Sequence, residues 1–152
     1  MSYRKEKIHS LTGINLNIVT DSALKKLCNK FLKNGIHGVC FSAYDEGQEP
    51  GDNISDEQIL RKLNIIKPYI KWIRTFSCTE GNERIPVLAK ELGLKTLVGA
   101  WLSDDKLTNG KEINGLISLC KSGHVDVAGV GNEVLYRKEM SETELIDYIN
   151  LV

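Results

Sequence analysis

The chain has 152 residues, of which 41% are hydrophobic and 26% charged, so it can bury a core and does not have a disordered composition. Its 20 basic residues equal its 20 acidic residues, which excludes the broad basic surface of a nucleic-acid-binding protein. No apolar run approaches the roughly 20 residues of a membrane span. No signal peptide is visible either, so a cytoplasmic location is the default expectation.

The first predicted element is an N-terminal helix. Thr20, Asp21 and Ser22 can cap it, and apolar residues from Leu24 to Leu32 then recur at helical spacing. Gly35 is a suitable stop. Residues 1–37 are therefore interpreted as an N-terminal segment that ends with this helix.

Short apolar runs alternate with helix-patterned segments along the rest of the chain. The predicted strands cover residues 38–44, 72–78, 95–101 and 125–131 and recur every 24 to 33 residues, which is the length of one βα unit. Four helices are predicted between and after the strands. The first is capped by Ser55 and has Ile59, Leu63, Ile66 and Ile70 on one face; the second runs from about Pro86 to Gly93 and the third lies around Glu112 to Cys120. The fourth begins with a Ser141–Glu144 capping box, and its apolar stripe is Leu145, Ile146 and Ile149. Residues 38–152 are thus predicted to form four βα units, within a single domain of residues 1–152.

Two parallel α/β architectures fit such units: an open doubly wound sheet and part of a (β/α)₈ barrel. The first strand is not followed by either of the glycine-rich phosphate-binding motifs of the open-sheet families. The barrel is therefore favoured.

Cysteine and histidine spacing indicates no metal or redox site. The four cysteines form no C-x-x-C pair, and the three histidines share no ligand spacing. We therefore expect free thiols, although Cys40 and Cys78 fall on neighbouring predicted strands and could approach one another. No metal and no other cofactor is expected.

Polar and aromatic residues lie at the C-terminal ends of the predicted strands or directly after them, where parallel βα proteins build their sites. These residues are Tyr44, Asp45 and Glu46, then Arg74, Thr75 and Ser77, then Trp101, Ser103, Asp104 and Asp105, and finally Asn132 and Glu133. Carboxylates and amides bind sugar hydroxyls, and aromatic rings stack on apolar sugar faces. This combination is typical of a sugar-processing cleft.

Two of these residues have a functional and a structural interpretation. Glu133 follows a glycine-rich strand, where burial could fit it for general-acid work, but it could equally close a loop or pair with Arg137. Arg74 lies among apolar neighbours, where an arginine needs an anionic partner. That partner could be a bound anion, Glu133 or Asp45.

The sequence as a whole resembles glycoside hydrolase family 17. The resemblance rests on residues 38–42 (GVCFS), 50–53 (PGDN), 73–78 (IRTFSC), 98–102 (VGAWL) and 131–134 (GNEV), which occur in family order from Gly38 to the C-terminus. It implies a (β/α)₈ barrel acting on β-1,3-glucan, with Glu133 as general acid/base. It also implies that Asn132 bonds the sugar 2-hydroxyl, that Arg74 organises the carboxylates, and that Trp101 and Tyr44 are subsite residues.

The chain departs from the family pattern in one respect. The family nucleophile is a glutamate after the seventh strand, and the four predicted units contain no matching residue; Glu46, Asp104 and Asp105 have no spacing that promotes them. Since a retaining glycosidase needs two carboxyl groups, the expectation is a β-glucan-acting scaffold that carries only the acid/base and whose activity alone is weak or absent. The alternatives are a non-catalytic glucan-binding half-barrel and a fragment of a longer glycosidase or transglycosylase. Open strand edges further predict a homo-oligomer or a missing C-terminal half.

Overall fold

A computed structural model describes residues 6–7, 11, 13, 15 and 18–152. The chain divides into two compact units, Met1–Gly35 and Ile36–Val152. In the first unit, helix α1 (Asp21–Asn34) begins after Thr20, whose hydroxyl accepts a hydrogen bond from the Ala23 amide, and it ends at Gly35, where φ is 75°. The predicted N-terminal helix is therefore confirmed with its cap and its stop.

The second unit is built on a four-stranded parallel sheet in the order β1-β2-β3-β4. Its strands are β1 (Ile36–Cys40), β2 (Ile70–Arg74), β3 (Lys95–Ala100) and β4 (Val127–Val130). The four predicted strands are confirmed, but β1 and β2 end four residues earlier than predicted. Phe41, Ala43 and Cys78 prolong the apolar runs because they are buried loop residues, not because they belong to strands.

Helices follow the strands in regular alternation. They are α2 (Asp56–Ile66), α3 (Arg84–Glu91), α4 (Lys106–Lys121) and α5 (Glu142–Leu151), with a short 3₁₀ turn at Lys67–Tyr69. Ser55 caps α2 and the Ser141–Glu144 capping box begins α5, both as predicted. Ile70 was predicted on the face of α2 but begins β2, because the 3₁₀ turn with Pro68 separates it from the helix. Helix α4 begins six residues before Glu112, because the side chain of Asp105 caps it.

The helices of this unit bury one face of the sheet. Ile59, Leu63 and Ile73 belong to a core cluster around β1 and β2, and Val98 and Leu116 belong to a second cluster around β3. Of the stripe predicted for α5, Leu145 packs on the second cluster, whereas Ile146 and Ile149 are exposed.

The opposite face of the sheet carries a row of residues that are register partners on adjacent strands. Cys40 lies beside Arg74, Arg74 beside Leu97, and Leu97 beside Val127. Because side chains alternate along a strand, this row faces away from the core side of the sheet. Cys40, Arg74 and Val127 are exposed, so this face is uncovered within residues 36–152. The second unit is a partial (β/α) barrel, and none of the helices in the described parts of the chain could span a membrane.

Candidate functional site

A cleft of about 820 Å³ opens where the loops after β1, β2 and β3 meet. Aromatic side chains from each of these loops line it: Tyr44, Phe76 and Trp101. Polar residues that include Ser42, Gln48, Thr79 and Asn82 lie between them. A cavity with aromatic walls and several hydroxyl and amide groups has the chemistry to bind a neutral polyhydroxylated ligand.

The loop after β1 is held against helix α2 by Asp45. Arg61 Nη2 lies 2.6 Å from Asp45 Oδ2, and Lys62 Nζ lies 3.2 Å from Oδ1. These hydrogen bonds, first that of Arg61 and then that of Lys62, lower the pKa of Asp45. Asp45 therefore does not pair with Arg74. The preceding residue, Tyr44, accepts a hydrogen bond of 3.1 Å from Asn82 Nδ2 at its phenolic oxygen.

Arg74 and Asn132 are brought together across the sheet. Arg74 Nη2 donates a hydrogen bond of 2.9 Å to Asn132 Oδ1, and its guanidinium lies 4.6 Å from the centre of the Phe76 ring. Arg74 is exposed. Of the alternatives left open for Arg74, an ion pair with Glu133 or Asp45 is not observed: its hydrogen-bond partner is an amide, which leaves guanidinium donors available to a ligand.

Glu133 follows Asn132 in an uncommon backbone conformation. Its φ is 56°, in the left-handed region that a non-glycine residue adopts only at a cost of order 1 kcal/mol or more. Glu133 is exposed, so the expected burial is not observed. The alternative ion pair with Arg137 is not observed either: the Arg137 guanidinium pairs with the Glu139 carboxylate at 2.6 Å. The Glu139 carboxylate and, to a smaller extent, the charge of Glu133 raise the pKa of Arg137. Such backbone strain is concentrated at functional sites.

Arg137 joins the loops after β3 and β4. Its guanidinium donates to the backbone carbonyl oxygens of Leu102 and Asn132 and lies 4.5 Å from the centre of a Trp101 ring. Sequence reasoning considered Arg137 only as a partner of Glu133 and missed this role, because carbonyl contacts in loops leave no sequence pattern.

Glu112 is a buried carboxylate at the base of the cleft that sequence reasoning also missed. It is 1% exposed. Oε1 accepts hydrogen bonds from the hydroxyls of Ser77 (2.6 Å) and Thr79 (2.7 Å), and Oε2 accepts from the backbone amides of Cys78 (2.7 Å) and Trp101 (3.0 Å). A signal was present, because Glu112 precedes Leu116 and Leu119 at helical spacing and therefore lies on the apolar stripe of α4.

The buried thiol of Cys78 lies next to this carboxylate. Burial first, and then the charge of Glu112, raise the pKa of Cys78, so the thiol stays protonated at neutral pH. All the cysteines are free, including Cys40 and Cys78. Within the described residues, no group of three or more His, Cys, Asp or Glu side chains could hold a metal ion.

The structure thus places the five predicted site residues in two neighbouring groups. Tyr44 and Trp101 line the cleft, whereas Arg74, Asn132 and Glu133 lie beside it and are not among its lining residues. Arg137 connects the groups through its contacts with Trp101 and Asn132.

Comparisons with known proteins agree with this architecture. A family model described as the BtgE/BtgC glycoside hydrolase domain matches residues 38–152, which is most of the chain. The chain belongs to the BtgE/BtgC glycoside hydrolase domain family. The matched region begins at Gly38, which is also the first residue of the sequence segments (38–42 onwards) that resemble glycoside hydrolase family 17.

Two solved structures are similar to this BtgE/BtgC domain. One is an active-site mutant of the Rhizomucor miehei β-1,3-glucanosyltransferase in complex with laminaritriose, and the other is the glycoside hydrolase family 17 β-1,3-glucanosyltransferase from Rhizomucor miehei. Each shows 25% identity and a TM-score of 0.62, and each alignment covers 77% of this chain and 44% of the other chain. A comparison with curated proteins gave no match. The BtgE/BtgC domain thus spans less than half the length of the solved structures that it matches. The expected resemblance to part of a family 17 glycoside hydrolase is confirmed.

Proposed function

We propose that this glycoside hydrolase-like domain binds β-1,3-glucan across the carboxyl ends of its strands and presents Glu133 to the scissile glycosidic oxygen as a general acid/base. The observation that carries the proposal is the Arg74–Asn132 hydrogen bond next to a glutamate with φ of 56°. An amide held at this position can accept from or donate to a sugar hydroxyl, and the backbone conformation of Glu133 sets the direction in which its side chain leaves the chain. The laminaritriose bound to a similar glucanosyltransferase supports the choice of ligand.

The aromatic cleft supplies the binding surface in this proposal. Tyr44 and Trp101 are partly exposed aromatic side chains on opposite loops. Their rings would stack on the apolar faces of glucose units, and the polar residues between them would bond the hydroxyls. The zero formal net charge suits a neutral polysaccharide.

The chemistry available to the described residues is the acid/base half of a retaining mechanism. Such a mechanism needs a second carboxyl group roughly 5–5.5 Å from the first as nucleophile. Asp105, one carboxylate that follows β3, is already bonded to the Leu107 amide and the Thr108 hydroxyl as a helix cap. We therefore expect glucan binding with weak hydrolysis or transfer at most.

The test is the release of reducing sugar from laminarin, a β-1,3-glucan, by the chain and its Glu133→Gln variant. General acid/base catalysis contributes about 10²–10⁴-fold, so Glu133→Gln should lower the rate by at least about a hundredfold with little change in laminaritriose affinity. Glu91→Gln, an exposed glutamate at the end of α3, is the matched control and should behave as the parent chain. Activity that Glu133→Gln leaves unchanged would contradict the assignment of the acid.

The second candidate function is a glucan-binding module without catalysis. It is favoured by the absence of an assigned nucleophile among the described residues. Titration with laminaritriose separates the candidates: binding without detectable turnover supports the module, whereas Glu133-dependent turnover supports the enzyme. Trp101→Ala should weaken binding by about tenfold or more in both cases, because a stacked aromatic side chain dominates such contacts. Undiminished affinity of Trp101→Ala would show that the sugar lies elsewhere.

A further inference from the structure

Glu112 bonds to both loops that form one side of the cleft. Its donors Ser77, Cys78 and Thr79 belong to the loop after β2, which carries Phe76, and its fourth donor is the backbone amide of Trp101 in the loop after β3. The aromatic residues of both loops therefore lie within a few residues of atoms that this carboxylate fixes.

Because the Glu112 carboxylate is buried, the loss of any one of these hydrogen bonds costs free energy. A carboxylate that is 1% exposed has no water to replace a lost donor, so each missing hydrogen bond carries its full desolvation cost. Both oxygens are saturated only when the loops after β2 and β3 are in place together. The free energy of Glu112 thus depends on the relative position of the two loops.

Close packing of helix α4 against the loop after β2 keeps the Glu112 carboxylate within hydrogen-bonding distance of that loop. A Cβ added to Gly115, one turn after Glu112, would lie 2.6 Å from the carbonyl oxygen of Cys78. The helix can approach the loop this closely because residue 115 has no side chain. The backbone of α4 therefore supports the reach of Glu112 to the loop after β2.

We propose that Glu112 is a positioning residue that sets the distance and orientation between Phe76 and Trp101, and so the affinity of the cleft for a β-1,3-glucan chain. The glucan part of this inference rests on the proposed function. The geometric part, that Glu112 determines the environment of Trp101, does not.

The first experiment reads out Trp101 directly. The chain has two tryptophans, so in a Trp72→Phe background the fluorescence is that of Trp101 alone. Glu112→Ala leaves the Cys78 and Trp101 amides without their acceptor. We expect the Trp101 emission to shift to longer wavelength, acrylamide quenching to increase, and the dissociation constant for laminaritriose to rise about tenfold or more.

Two further variants separate positioning from stability. In Glu112→Gln the side-chain oxygen can accept from both amides and the NH₂ group can donate to both hydroxyls, so emission and affinity should return to within about threefold of the background. Thr96→Val removes a fully buried hydroxyl that donates to the His124 carbonyl at the opposite end of β3. It should lower the melting temperature without changing the Trp101 emission or the affinity.

The outcomes are distinguishable. A folded Glu112→Ala variant with unchanged Trp101 emission overturns the inference, as does a Thr96→Val variant that shifts the emission equally. If Glu112→Ala does not fold, Glu112→Asp replaces it, because a side chain one methylene shorter cannot reach both loops, and unchanged emission again overturns the inference. If the background chain does not bind laminaritriose, the proposed function fails, and the positioning role is decided by emission and quenching alone.

Discussion

Asp105 is the carboxylate that begins helix α4. Its side chain accepts hydrogen bonds from the Thr108 hydroxyl (2.6 Å) and the Leu107 amide (2.9 Å). The hydrogen bond from the Thr108 hydroxyl, followed by those from the backbone, lowers the pKa of Asp105 below the ordinary value of 3.8. The ionised form is thus bound more tightly in the folded chain than in the unfolded one.

This lowered pKa predicts an acid-dependent loss of stability. A carboxyl group with a lower pKa in the folded state stabilises the fold above its unfolded pKa and loses that contribution as the pH falls through its folded pKa. The free energy of unfolding should therefore decrease below about pH 4. In the Asp105→Asn variant the free energy of unfolding should decrease by less over the same pH range. Urea denaturation between pH 2.5 and pH 6 measures the difference.

Asp104→Asn is the matched control, since Asp104 is the exposed neighbour that does not cap the helix. Its pH profile should follow that of the parent chain. If Asp105→Asn shows the full loss on acidification, the cap does not cause it.

Single polar residues were the least predictable part of the site. Strand ends indicated the loops that carry Tyr44 and Trp101, which line the cleft, because parallel strands end at one edge of the sheet. The contact of Arg74 with Asn132 spans 58 positions in sequence, and no local pattern encodes such a pair. Arg137 was missed for the same reason.

Helix α4 is the element that contacts both the loop after β2 and the loop after β3. It contains two glycines in different environments. A Cβ at Gly115 would meet the carbonyl oxygen and the Cβ of Cys78 at 2.6 and 2.9 Å, whereas a Cβ at Gly110 would meet no described atom within 4 Å. The first glycine is required by packing and the second is not.

Alanine substitutions at these glycines should have opposite effects. Gly115→Ala forces the helix away from the backbone of the loop and should destabilise the chain by about 1–3 kcal/mol. Gly110→Ala, in the same helix, should stabilise it by about 0.5–1 kcal/mol, because alanine restricts the unfolded chain more than glycine does. Chemical denaturation of both variants measures the difference, and equal effects would contradict the close approach seen at Cys78.

Elements were predicted better than their ends. Caps at Thr20, Ser55 and Ser141 were found because a hydroxyl at a helix start has a local signature. The ends of β1 and β2 were misplaced because buried loop residues such as Phe41 have the same apolar character as strand residues. A run of apolar residues indicates burial, and buried residues also occur in loops outside the helices and strands.

At the scale of the whole molecule, the described sheet has two edge strands, each of which pairs with another strand on only one side. Within residues 36–152, β1 pairs with β2 and β4 pairs with β3. A (β/α)₈ barrel of typically about 250 residues closes its sheet, whereas unpaired strand edges are a template for association with another chain. The number of βα units in the sequence is enough to predict these unpaired edges, since four units cannot close a barrel.

We expect the chain to self-associate through these edges. Sedimentation velocity at micromolar concentrations should show a dimer or a larger species, and Val127→Lys should shift it toward the monomer, because lysine on an edge strand opposes pairing. Val127 lies on β4 and is 44% exposed. Ile65→Lys, on the exposed surface of α2, is the control and should leave the distribution unchanged. A stable monomer at all concentrations would contradict the expectation.

The strand order β1-β2-β3-β4 also bears on how the chain is made. Each strand after β1 pairs with the strand that precedes it in sequence, so every later βα unit that leaves the ribosome finds its partner strand already synthesised. Synthesis at about 5–20 residues per second would supply one unit every few seconds, long enough for it to dock before the next appears. The sheet can therefore grow in the direction of translation, without waiting for a distant segment of the polypeptide.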